Sequence, residues 1–139
     1  MRRLSDITCN QNPLTMEQVT TVKVACQKMR ERRVGSVLVT DEKGSLVGIF
    51  TGRDAVCNVL AEGKSASKTS LRQVMTANPI SMSPAKTAID ALRLMWDGGF
   101  RHVPLVERGK IHGVVSRGDF KGDEHERLDE ERELWEHMR

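Results

Sequence analysis

The chain contains no tyrosine, three phenylalanines and two tryptophans in 139 residues. A platform of stacked aromatic rings for nucleic-acid bases has little to be built from. Cysteine is also scarce: Cys9, Cys26 and Cys57 are odd in number and widely spaced, which excludes a disulfide framework and a Cys-x-x-Cys metal or redox motif. Cys26 falls on an apolar helical face, where a thiol acts as a small buried hydrophobe. His102, His112, His125 and His137 lack the tight spacing with Cys, Asp or Glu that a zinc site needs. No apolar run approaches the roughly 20 residues that cross a bilayer. Met1-Arg2-Arg3-Leu4-Ser5-Asp6 is not followed by the apolar stretch of a secretory signal. A cytoplasmic protein without a membrane partner is therefore expected. Catalytic signatures are missing too: there is no nucleophile and base pair, and Gly63-Lys64-Ser65 lacks the upstream glycine of a P-loop. An enzyme is not expected, nor a metal or a catalytic cofactor.

What charge there is divides unevenly. The net +3 combines −4 over residues 120 to 139, with eight Asp or Glu against four Lys or Arg, and +7 over residues 1 to 119. A basic body suits phosphorylated ligands, but charge spread over that length without interleaved aromatics argues weakly for nucleic acid.

The chain repeats itself. Asn12 to Asp54 and Asn78 to Asp119 carry one pattern about 66 positions apart. Asn12-Pro13-Leu14-Thr15-Met16 matches Asn78-Pro79-Ile80-Ser81-Met82, and Val37-Leu38-Val39 matches Val103-Pro104-Leu105. The copies end in Gly48-Ile49-Phe50-Thr51-Gly52-Arg53-Asp54 and Gly113-Val114-Val115-Ser116-Arg117-Gly118-Asp119, so glycine, hydroxyl and carboxylate recur at one spacing. Val22, Ala25, Cys26 and Met29, like Ala88, Ala91, Leu92 and Met95, have the i, i+3, i+4, i+7 spacing of an amphipathic helix. Two short apolar runs follow each helix, joined by Asp41-Glu42-Lys43-Gly44 or Glu107-Arg108-Gly109-Lys110, and predict paired strands. A second helix is expected from Gly52, with Ala55, Val56, Val59 and Leu60 on one face, and a corresponding one after Ser116. Each copy thus reads strand, helix, strand, strand, helix. A unit of about 60 residues buries little surface alone, so the copies are expected to pool their cores. The small polar stretch Ala61 to Ser70 reads as a linker without core residues. The division expected is a first repeat over 1–62, a linker over 63–70, a second repeat over 71–120 and an acidic helix over 121–139. Leu128, Leu134, Trp135 and Met138 are that helix's apolar residues, able to dock on the body or on a second subunit.

A hydroxyl followed three residues later by a carboxylate at a helix start has a plain structural reading, a helix cap near the positive end of the dipole. Its repetition after the same glycine-containing strand adds a second reading. Asp offers two acceptor oxygens, which suit the paired hydroxyls of a ribose. Both roles can coexist.

These features resemble a tandem pair of CBS domains, a Bateman module, over nearly all of Leu4 to Phe120. The resemblance rests on the doubled Gly-hydrophobic-hydrophobic-Thr/Ser-x-x-Asp motif, on Val103-Pro104-Leu105-Val106, and on Met75-Thr76 at the entry of the second copy. It implies a mixed α/β fold of two β-α-β-β-α repeats packed sheet to sheet about a pseudo-twofold axis, with a charged C-terminal helix added here. It also implies two clefts for adenosine-containing ligands. One would combine Thr51 and Asp54 with Ile80, Arg101, His102 and Pro104, and the other Ser116 and Asp119 with Leu14, Gly35, Ser36 and Leu38. Thr or Ser and Asp would meet the ribose, the first strand of the other repeat the adenine, and residues before its second strand the phosphates. Arg101 and His102 are basic at the phosphate end, whereas Gly35 and Ser36 carry no charge, and Leu38 stands where the family usually has Pro. The Asp54 cleft is therefore the better nucleotide site by this reading. An Arg101 to phosphate bond would be worth on the order of 1.5 to 3 kcal/mol. His102 can equally be an exposed polar neighbour of a strand, a reading that fits Arg101 less well, and Arg53 and Arg117 can meet phosphate or solvent.

The function implied is a regulatory sensor of AMP, ADP, ATP, S-adenosylmethionine or NAD that signals to an effector protein in trans, with homodimers expected. The alternative is a ligand-independent dimerisation or assembly protein, in which the pair and its acidic tail only dock partners.

Overall fold

The computed structural model describes residues 1–137, so Met138 and the last position of the acidic helix lie outside the described residues. The chain forms two compact units. One comprises Asn12–Ile80 with Arg108–Ile111, and the other Met1–Gln11, Ser81–Glu107 and the residues from His112 onward. The grouping by contact therefore differs from the grouping by sequence order: the segment before each copy of the repeat joins the unit that holds the other copy.

The four-stranded unit contains β1 (Thr15–Glu17), α2 (Val22–Arg32), β2 (Ser36–Thr40), β3 (Leu46–Thr51), α3 (Gly52–Asp54), α4 (Leu71–Val74) and β4 (Thr76–Ala77). Its sheet has the order β1-β2-β3-β4, parallel between β1 and β2 and antiparallel elsewhere. All five residues of β2 are buried, as a central strand covered on both faces requires. α2 follows the apolar spacing, with Val22, Ala25 and Met29 buried and Thr21 accepting the Val24 amide at its start. Cys26 is half-buried, and burial pushes its thiol pKa up. Val22, Ala25, Met29, Val37, Val39, Phe50, Val59, Leu71 and Val74 belong to this unit's core.

The polar stretch before α4 is more than a linker. The amides of Val22 and Lys23, which have no partner within their own helix, donate to the carbonyls of Thr69 (2.9 Å) and Ala66 (3.0 Å). Thr69 is consequently buried and Ala66 packs on the core. After α3 the chain winds as a π-helix over Ala55–Leu60, with Ala61 N–H donating to the Val56 carbonyl at 2.9 Å. The wider i→i+5 winding breaks up the apolar face expected from sequence. Val59 is buried at 1% exposure, while Val56 and Leu60 are 57% and 71% exposed.

The two-stranded unit contains α1 (Leu4–Thr8), α5 (Ala88–Gly98), β5 (His102–Glu107), β6 (Lys110–Ser116) from His112 onward, and α6 (Gly122–His137). The β5–β6 hairpin turns at Arg108 (φ 53°) and Gly109 (φ 76°), two left-handed residues as a type I′ turn demands. Single residues complete this sheet where the other unit uses strands. Met82 bridges Leu105 in parallel, its N–H donating to the Pro104 carbonyl at 3.0 Å. On the other edge the Gln11 carboxamide imitates a strand, donating to the Val114 carbonyl at 2.8 Å and accepting the Val114 N–H at 2.7 Å. The motif glycines make both arrangements possible. A Cβ on Gly48 would lie 2.3 Å from Met75 Sδ, and one on Gly113 would lie 2.7 Å from Gln11 Oε1.

The exchange of leading segments is symmetrical. Leu71 N–H donates to the Thr20 carbonyl before α2, and Leu4 N–H donates to the Lys86 carbonyl before α5, at 2.9 and 2.8 Å. Leu4 and Leu71 are fully buried in their respective cores. The second helix expected after Ser116 is instead a short 3-10 turn over Arg117–Asp119. Phe120 then takes an extended conformation that lets its ring enter the core. α6 docks on its own unit through Leu128, which is 4% exposed, and through Glu124. The Arg2 guanidinium grips Glu124 with two bonds, Nε to Oε2 at 3.2 Å and Nη2 to Oε1 at 2.5 Å, and Lys121 N–H adds a third at 2.8 Å. The pairing with Arg2 holds the Glu124 carboxyl below the usual carboxylate range. Leu134 and Trp135 remain exposed. No helix among the described residues is long and apolar enough to cross a membrane.

Leu4→Ala and Leu71→Ala should each cost about 2–5 kcal/mol in urea unfolding, since both segments are core elements. A loss below about 0.5 kcal/mol would mark them as surface connections. Glu124→Gln should cost about 1.5–3 kcal/mol at neutral pH. Because the folded-state pKa of Glu124 is depressed, the wild-type advantage is present above the unfolded value of about 4.3 and fades as pH falls through the folded value. The gap between wild type and Glu124→Gln should be widest at neutral pH and shrink as pH falls through the folded value, and a gap independent of pH would exclude this ion pair as the cause.

Candidate functional site

Both copies of the motif fold as turns at the end of a strand. In the first, Thr51 N–H and Oγ1 both donate to Asp54 Oδ2, at 2.9 and 3.1 Å, and Asp54 N–H returns a bond to Thr51 Oγ1 at 3.3 Å. Asn58 donates to Asp54 Oδ1 at 3.1 Å and to the Val74 carbonyl at 3.2 Å. In the second copy, Ser116 N–H and Oγ donate to Asp119 Oδ2 at 2.7 and 3.3 Å. No counterpart of Asn58 reaches Asp119 Oδ1 among the described residues, though Arg2 donates to the Asp119 carbonyl at 3.1 Å. Each turn is also tied to the strand opposite: Gly52 N–H bonds the Gly35 carbonyl at 3.1 Å and Arg117 N–H bonds the Arg101 carbonyl at 3.0 Å.

An internal comparison shows what this geometry means alone. Thr87 and Asp90 begin α5 with the same three bonds, at 3.0, 2.9 and 3.3 Å, and only start a helix. The backbone N–H of Thr87 holds the Asp90 carboxyl below its usual pKa. A Thr-x-x-Asp turn is thus sufficiently explained as a cap. What marks the two motif turns is their place after a glycine-bearing strand; by acceptor sites left over only Asp119 stands apart, since Asp90 also accepts from Arg93 at 3.4 Å and keeps one site, as Asp54 does. A carboxylate has about four lone-pair sites. Two on Asp54 Oδ2 are used by Thr51 and one on Oδ1 by Asn58, so the first turn retains one acceptor site and the second retains two.

The other residues named from sequence divide between the units. Leu14, Gly35, Ser36, Leu38, Thr51, Asp54 and Ile80 belong to the four-stranded unit, and Arg101, His102, Pro104, Ser116 and Asp119 to the two-stranded unit. Ser36 lies opposite Thr51 in the strand register, and Leu38 N–H bonds the Leu14 carbonyl at 2.9 Å. Leu14, Ser36, Leu38 and Pro104 are buried, His102 is half-buried, and Arg101 and Gly35 are exposed. Ile80 is 56% exposed. Arg53 is exposed, whereas Arg117 lies over the Trp96 ring with its guanidinium carbon 5.5 Å from the centroid. Asn58 was missed in the sequence. Its spacing of four from Asp54 on a helical face was the available signal.

A family model described as CBS domain matches residues 4–60 and 71–122. A CBS domain-containing protein of Arabidopsis thaliana is 43% identical over 102 residues, which is 73% of this chain and 19% of that relative's length. The chain therefore spans a minor part of that relative. The crystal structure of a CBS-domain containing protein from Agrobacterium tumefaciens matches with a TM-score of 0.78 and 30% identity, covering 85% of this chain and 95% of its own. A CBS domain protein from Pyrobaculum aerophilum, solved in complex with AMP, reaches a TM-score of 0.82 over 92% of this chain and 98% of its own, and at 20% identity shares the fold.

Thr51→Ala and Thr87→Ala remove equivalent caps and should each lower stability by about 0.5–2 kcal/mol in urea unfolding. A Thr51 cost near zero beside a normal Thr87 cost would show that the first turn is not held by its cap.

Proposed function

The chain belongs to the CBS domain family, and on that premise we propose that it is a regulatory module that binds adenosyl ligands rather than a catalyst. The observation that carries this reading is the motif turn repeated at the end of two glycine-bearing strands, the second with two carboxylate acceptor sites to spare. A ribose presents two adjacent hydroxyl donors, and Asp119 retains two acceptor sites for them. Asp54 retains one, which makes the first turn fit the ribose once the Thr51 hydroxyl turns to the ligand or Asn58 yields. Ile80, Arg101, His102 and Pro104, with Leu14, Gly35, Ser36 and Leu38, are the proposed adenine-side and phosphate-side contacts carried over from the family resemblance. Arg101 favours a phosphorylated ligand such as AMP, ADP or ATP at the first turn. The lack of charge at Gly35 and Ser36 favours an adenosyl group without phosphate, as in S-adenosylmethionine, at the second. Output would pass to an effector protein in trans through a ligand-dependent change in population, which requires a difference in ligand affinity between two states.

The identity of the Thr51–Asp54 and Thr87–Asp90 cap geometries favours a second reading, an assembly protein in which both motif turns are structural only.

Melting curves with AMP, ADP, ATP, S-adenosylmethionine and NAD separate the two. A ligand at about 100 times its Kd adds roughly 2.7 kcal/mol, several degrees for a domain of this size. The shift should survive Asp90→Ala, which removes the matched control cap, and should be lost in Asp54→Ala or Asp119→Ala according to the turn used. No shift with any compound would leave the assembly reading.

A further inference from the structure

α6 starts where the family match ends: the CBS domain model covers the chain to residue 122, and the helix runs from Gly122 to His137. Of its 16 residues only Glu124 and Leu128 are buried. Beyond Leu128 the helix faces α5 across a groove of about 230 Å³. It is held there by an ion pair and a stacked cation. Arg93 bonds Glu131 at 2.7 Å, and the Arg132 guanidinium lies 3.8 Å from the Trp96 centroid. A helix end held by partly exposed polar contacts belongs to the part of a fold that opens most readily.

The second motif turn reaches α6 at both of its ends. Arg117, between Ser116 and Asp119, lies over the same Trp96 ring at 5.5 Å from its centroid. One side chain of α5 thus carries a cation from the turn and a cation from the far half of α6. At the near end, Arg2 Nη2 donates both to the Asp119 carbonyl at 3.1 Å and to Glu124 Oε1, so a single nitrogen ties the backbone of the turn to the buried start of the helix. All these residues belong to the two-stranded unit. The first turn cannot make the ring contact, because Gly52 stands where the second turn has Arg117.

We propose that the second turn sets how firmly α6 is docked, with Trp96 as the coupling residue for residues 129–137, which makes α6 the output element of that turn. The inference rests on the reading of the turn as an adenosyl site. A ribose bonded to the two open acceptor sites of Asp119 orders the three-residue turn, and with it the Arg117 side chain over Trp96 and the Asp119 carbonyl under Arg2. The docked state of α6 is then the one that binds better, and its population rises. Coupling is reciprocal, so docking of α6 strengthens binding at Asp119 by the same factor.

Amide exchange read by mass spectrometry over residues 122–128 and 129–137 tests this, with S-adenosylmethionine and AMP as the added compounds. Saturation of the second turn should slow exchange in both segments by about fivefold or more. The effect should persist in Asp54→Ala and disappear together with binding in Asp119→Ala. Trp96→Leu should still bind, more weakly by the factor it removes from the exchange response, and should lose the response in 129–137 while keeping it in 122–128. Should Trp96→Leu fail to fold, Arg132→Gln cuts the same contact from the α6 side and must give the same result. Binding that needs Asp119 but leaves α6 exchange unchanged would overturn this inference and leave the adenosyl reading standing. A response in 129–137 that survives both Trp96→Leu and Arg132→Gln would also overturn it. If neither compound binds in a way that Asp119→Ala abolishes, the premise fails and the inference with it.

Discussion

The starts of α2 and α5 constrain the fold more than any other feature. A helix leaves its first amides without internal acceptors, and buried amides must find them elsewhere. Here they find them in segments that precede the other copy of the repeat: Val22 and Lys23 bond Thr69 and Ala66, and Ala88 bonds Arg2 at 3.0 Å. Those bonds pull Leu71 and Leu4 into the two cores and place α4 and α1. They also bring β4 and Gln11 to the sheet edges, where the motif glycines admit them. The Arg2 to Glu124 pair that seats α6 depends on the same placement of the N-terminal segment.

The elements governed by local periodicity were legible in the sequence. α2 and α5 bury the residues that the i, i+3, i+4 spacing selects, and β2 is the continuous apolar run of a covered strand. Three features were not legible, for separate reasons. The π winding after α3 depends on a single i→i+5 bond register, which exposes Val56 and Leu60 although their spacing reads as one helical face. The role of Thr69 and Ala66 arises from bonds to residues more than 40 positions away, which small polar composition does not disclose. Gln11 acts as a strand through its side chain, a substitution invisible to any backbone pattern.

The candidate site was legible as a spacing but not as a geometry. Glycine, hydroxyl and carboxylate fell where the motif put them, yet the same carboxylate bonds at Asp90 show that the turn by itself is a cap. The distinction between the two turns lies in Asn58, which occupies Asp54 and has no counterpart at Asp119. The less encumbered carboxylate is therefore in the second turn.

The exchange of leading segments also bears on how the contacts depend on concentration. Each segment makes its bonds to the copy of the repeat that does not directly follow it. Two separate chains of half the length, each a leading segment and one repeat, would hold every donor and acceptor needed, with each segment lent to its neighbour. The tandem chain has the bonding plan of such a swapped pair. In the tandem chain those contacts are intramolecular, so they do not depend on protein concentration.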